Sequence, residues 1–178
     1  MTNATTRAAA FVAVVVTGLA LLFSGVANAW EHGNGNGTGG CSSGRAVGNG
    51  ATLLNTFEFS LCQRSADNRD VTGYFQAAAP LTANIVAPRG PITCADVQGS
   101  DVSFYYPFGA GSVPPPNPAL TGIVIYAHDG GATGDTIAFA PVNAGLIPDC
   151  SLTSPLVTGL KLTALPVATG GITVTPRA

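Results

Sequence analysis

Charge is scarce in this sequence, and lysine is almost missing. Asp, Glu, Lys and Arg make up 9% of the 178 residues, against roughly a quarter in an average soluble domain. Lys161 is the one lysine, and Glu31 and Glu58 are the only glutamates. A coiled coil or a charged helical bundle needs far more of both. The formal net charge is −2, so there is no basic footprint for nucleic acid, and none is expected as a partner. No Cys-x-x-Cys occurs, which removes the usual zinc and thioredoxin-type spacings. The two histidines, His32 and His128, stand 96 positions apart and argue for no metal site. No cofactor is expected.

What is present is apolar and small. Hydrophobic residues are 46%, with 23 Gly and 13 Pro. That much apolar surface argues against wholesale disorder. One long apolar run exists, Ala8 to Phe23, after Arg7. Its sixteen residues are short for a span of about 20. Ser24 and Gly25 end it, and Ala27 and Ala29 give the small-x-small pattern of a secretory signal peptide. Residues 1–29 therefore read as a signal, with Trp30 the first mature residue. Loss of Arg7 leaves six basic against nine acidic residues, a net charge of −3. Leu165 to Gly170 (LPVATG) resembles a sortase signal, but has one residue too many and no apolar tail behind it. No stable membrane insertion is expected after cleavage.

Cys41, Cys62, Cys94 and Cys150 all fall in the mature chain. In an oxidising compartment four cysteines read as two disulfides, with three connectivities open. Cys41–Cys62 with Cys94–Cys150 is favoured. The first would tie a Gly-rich leader to the end of the first strand, and the second would close a long central loop.

Residues 30–48 are rich in Gly, Asn and Ser and read as a flexible leader. Beyond them the apolar period is two. Asn55 to Leu61 alternates, with Phe57, Phe59 and Leu61 on one face and Glu58 on the other. Further strands are expected over Val71–Ala78, Leu81–Val86, Ile92–Val97, Val102–Phe108, Leu120–Ala127 and Asp135–Val142. Pro88 to Pro91 and Gln98 to Asp101 read as turns, and Pro114 to Pro116 as an extended spacer. Leu160–Ala164 and Gly171–Thr175 read as weak closing strands. No helical period stands out after the signal. Tyr105 and Tyr106 are consecutive, so alternation sends one of them outward. Seven or eight short strands with frequent turns give an all-β fold, an antiparallel β-sandwich or open barrel, in one domain over 49–178.

From Gly48 to Cys150 the order of motifs resembles a group of exported β-sandwich proteins and domains of actinobacteria and other bacteria, without established activity. The resemblance is carried by Phe57-Glu58-Phe59, Gly73-Tyr74-Phe75, the Pro91 to Gly99 hairpin, Asp129 to Asp135 (DGGATGD) and Pro148-Asp149-Cys150. It implies the same sandwich and a bond between the hairpin cysteine and the late one, Cys94 and Cys150.

Catalytic patterns are formally present and poorly supported. Gly40 to Gly44 (GCSSG) matches Gly-x-Ser-x-Gly, but a nucleophile elbow needs a strand before it and a helix after it. Glycoside hydrolysis needs paired acids across a cleft, and most of the acids here fall in turns. Asp129 and Asp135 flank a Gly-rich loop that could contribute to a weak calcium or ligand site, but an EF-hand's other ligands are missing. His128 and its neighbouring acids are the alternative, as the centre of a secreted hydrolase. The expected function is that of a secreted or cell-wall-associated, disulfide-stabilised, non-catalytic structural or binding protein, with an extracellular or cell-wall partner.

Overall fold

The structure is a computed structural model that describes residues 40–78, 86–109, 111–112, 119–143, 145 and 150–177. Among the described residues ten strands, one α-helix and a 3-10 turn at Gly131–Thr133 follow in order: β1 Gly44–Ala51, β2 Thr56–Gln63, β3 Val71–Ala78, β4 Val86–Pro91, β5 Cys94–Gln98, β6 Asp101–Pro107, β7 Gly122–His128, β8 Thr136–Val142, α1 Pro155–Thr163, β9 Leu165–Pro166 and β10 Thr169–Pro176. They form two five-stranded sheets, ordered β10-β1-β2-β3-β4 and β5-β6-β7-β8-β9. Every pairing is antiparallel. The fold is an all-β sandwich with one added helix.

The core between the sheets follows from alternation. Phe57, Phe59 and Leu61 of β2, with Phe75 of β3, meet Phe104 and Tyr106 of β6. Phe59 and Phe104 lie 4.9 Å apart between ring centroids, and Phe75 meets Tyr106 edge-on at 5.4 Å, separations that suit aromatic pairs. Glu58 points to the other face of its sheet. There its carboxylate accepts from the Tyr74 hydroxyl and the Gln76 amide, while Arg89 stacks on the Tyr74 ring at 3.5 Å.

A second apolar layer lies outside the β5–β9 sheet. Tyr105, Val124, Tyr126 and Ala138 pack against Leu152, Val157 and Leu160. The segment that crosses them is held at three points: the Cys94–Cys150 disulfide, the Ser103 hydroxyl donating to the Cys150 carbonyl, and the Leu152 amide donating to the buried Asp96 carboxylate at 2.8 Å. Helix α1 then starts with an N-cap, the Ser154 hydroxyl accepting from the Val157 amide, and with Pro155 in its first turn, both favoured there.

Five readings of the sequence change accordingly. Tyr105 and Tyr106 are both buried, because α1 covers the face to which Tyr105 points. Leu160–Ala164 is not a strand: Leu160 to Thr163 are helical, and Ala164 is the residue after. The described residues therefore do include a helix, where none was expected. Pro88 to Pro91 lies within β4, not in a turn. The folded chain also begins earlier than residue 49, since β1 starts at Gly44, inside the expected leader. Residues 1–39, most of the expected strand at 81–86 and the proline triplet lie outside the described residues.

Candidate functional site

The densest polar cluster gathers around Asp101, the first residue of β6. The β6–β7 register places Asp101 opposite His128, the last residue of β7. His128 Nδ1 lies 2.8 Å from Asp101 Oδ1, and the Tyr126 hydroxyl donates to the same oxygen at 2.7 Å. Lys161 of α1 donates to Oδ2 at 2.8 Å. The lysine nitrogen also stands 5.4 Å from the centre of the Tyr126 ring. One carboxylate thus ties two strands to the helix.

The electrostatics follow from that packing. Burial works to raise the Asp101 pKa, but donation from Lys161, Tyr126 and His128 outweighs it and holds the carboxyl below its usual value. Burial, followed by the Asp101 carboxylate as acceptor, pushes the Tyr126 phenol well above the usual range. Both shifts favour the ionised acid and the neutral phenol, the pair seen in the hydrogen bonds.

Asp129 and Asp135 are engaged with backbone amides. Asp129 accepts from Gly131 and Val174, and Asp135 from Gly130 and Ile172. Ile172 and Val174 belong to β10, an edge strand of the opposite sheet. Each carboxylate closes its own turn with one oxygen and caps an outward N–H of β10 with the other. Both oxygens of each acid therefore have donors, which leaves the pair poorly suited to a cation. Among the described residues no cluster of three or more His, Cys, Asp or Glu side chains could hold a metal.

The cysteines pair as Cys41–Cys62 and Cys94–Cys150, the connectivity favoured on the sequence. The Gly40 to Gly44 pattern runs into β1, not into a helix, so it lacks the geometry of a nucleophile elbow. His32 lies outside the described residues. The sequence reading missed Asp101, Tyr126 and Lys161. One cue was there: the Gln98–Asp101 turn sets Asp101 at a strand start; Lys161 could not be placed because its helix was not legible.

No family model matches the chain, and neither curated proteins nor solved structures return a significant likeness. The Asp101 cluster and the cystine pairs therefore have to be read on their own geometry. Two disulfides suit an oxidising compartment. No helix among the described residues is long and apolar enough to cross a membrane.

Proposed function

We propose that this chain is a secreted, non-catalytic structural or binding protein of the cell exterior. The observation that carries the reading is the use made of its reactive side chains. Asp101, His128 and Lys161 join α1 to the strands, while Asp129 and Asp135 fasten β10 to the facing sheet. General acid–base chemistry needs such groups converging on space for a substrate, and here they converge on each other. The Ala8 to Ala29 pattern supplies the export signal, and the disulfides suit the destination.

The competing reading is a secreted hydrolase. It draws on one contact, the carboxylate of Asp101 orienting the His128 ring, as an acid orients a general base. Lys161 on the second carboxylate oxygen works against it, since it commits Asp101 to the helix.

Export and retention test the proposal together. Protein recovered from medium and wall fractions should begin at Trp30. It should bind host wall material or a secreted protein saturably, and His128→Ala should bind equally well. A chain still beginning at Met1, or the absence of saturable binding to any such material, would overturn the reading.

A further inference from the structure

The edges of the two sheets are treated unequally. On β10 the outward amides of Ile172 and Val174 are capped by Asp135 and Asp129. On β5 the outward amides of Ala95 and Val97 donate to the Asn68 carbonyl and the Gln63 side chain. Edge strand β4 carries Pro88 and Pro91 and a register shift. Such devices disfavour strand addition, and β8 shares one of them in part, since Pro141 offers no N–H. On β8 the cover is short, because β9 pairs with Thr136 and Ile137 alone.

The register tells which groups that leaves. The Val167 amide donates to the Asp135 carbonyl, so the odd-numbered residues of β8 turn their backbone groups away from β7. Past Ile137 these are the N–H and C=O of Phe139 and the C=O of Pro141. Among the described residues no strand pairs with them on that side.

A groove of about 220 Å³ runs beside this edge, lined by Leu54, Ala77, Ile123, Phe139, Pro141 and Leu165 among others. No charged side chain is among its described lining residues. The exposed large hydrophobics of the described residues are Leu53, Leu54, Val86 and Leu162. Leu54 lines the groove. An exposed apolar side chain at the rim of an uncharged groove suits an interaction surface.

We propose that β8 and this groove take an extended, uncharged peptide segment of a partner protein, added as a further strand. An unpaired edge is satisfied by another backbone, and alternate apolar side chains of that backbone would enter the groove. A charged occupant would be desolvated there without a counter-charge. A second copy fits badly, because antiparallel self-pairing at Phe139 would drive each copy's β9 against Pro141 and Val142 of the other. The inference rests on the reading of the chain as a binding protein and adds the site and the chemistry of the partner.

The probe is a set of capped heptapeptides with threonine at odd positions and Val, Ile, Leu or Phe at even ones. Binding to the oxidised mature protein should shift the Phe139 amide resonance and slow its hydrogen exchange at least tenfold. Leu54→Glu, at an exposed rim position, should weaken binding at least tenfold, and so should Thr163→Glu. Backbone N-methylation of the peptide should abolish binding. Absence of saturable binding at millimolar peptide would overturn the proposal. So would equal binding of the N-methylated set, or of dodecanol, without Phe139 protection. Concentration-dependent dimerisation that protects Phe139 without peptide would assign the edge to a second copy and also overturn it. Cleavage of a bound peptide would instead contradict the non-catalytic reading and leave the strand pairing standing.

Discussion

Asp101 shows how much one residue can carry in a chain this poor in charge. It receives Lys161, His128 and Tyr126 and is about a quarter exposed. Its pKa is held below the ordinary carboxylate value, so the folded state prefers the charged form. The sign of the linkage is then fixed. The stabilisation is fully present above the unfolded-state value of about 3.9 and is lost as pH falls through the lower folded value. Asp101→Asn keeps the shape but removes the charge. Hydrogen bonds to charged groups are worth about 1.5–3 kcal/mol each, and partial exposure reduces that. A loss of about 1–2 kcal/mol is expected at pH 7, shrinking towards zero only as pH falls through the lowered folded-state value. Urea melts across that range would measure it, and a loss that stays constant with pH would refute the charge as its source.

Elements follow the same economy. In β2, β3, β6 and β8 the apolar alternation was legible because the side chains themselves carry it, and β7 was legible as an unbroken apolar run. β1 was hidden because its sequence, GRAVGNGA, has few side chains to show a period. Its glycines are required by packing. A Cβ on Gly48 would lie 2.4 Å from the Phe59 ring, and one on Gly44 would lie 2.6 Å from Val97. Helix α1 was hidden for another reason. Nine residues with Val, two Thr and a Gly give little helical signal, and tertiary packing overrides weak propensity. One cue was overlooked: Ile123 to Ala127 is apolar without alternation, which is what a strand buried on both faces looks like. The role of Asp129 and Asp135 was half legible. Their turn chemistry could be read from the Gly-rich spacing, but β10 lies about 40 residues further on and nothing local names it as the partner. Asp135→Ala should free the amides of Gly130 and Ile172 and cost about 2 kcal/mol. Calcium should not matter, because the carboxylate oxygens already accept from amides. A differential scan should show the lowered Tm of Asp135→Ala, with neither parent nor variant responding to millimolar calcium or to chelator. A calcium-dependent rise in the parent, lost in the variant, would make the loop a metal site.

For the whole molecule, the disulfides and the helix act together. Cys94–Cys150 spans a sequence separation of 56, and on the chain-entropy model such a bond is worth about 4 kcal/mol. It is also one of three ties that begin the covering of the β5–β9 sheet. Replacing Cys94 and Cys150 by alanine should therefore lower stability by about 3–5 kcal/mol and raise amide exchange in α1 before the rest of the sandwich. Replacing Cys41 and Cys62 should leave α1 unaffected, which exchange mass spectrometry can read. Equal loosening of α1 in both variants would separate the helix from the disulfide that precedes it. The central claim is that the reactive side chains of this sandwich hold its parts together and perform no turnover. The most direct measurement is a screen of the purified, oxidised mature protein against generic ester, peptide, glycoside and phosphate substrates, beside His128→Ala. The account predicts no turnover above buffer for either protein, with His128→Ala folded. Turnover in the parent that disappears in His128→Ala would contradict it and identify His128, oriented by Asp101, as a catalytic residue.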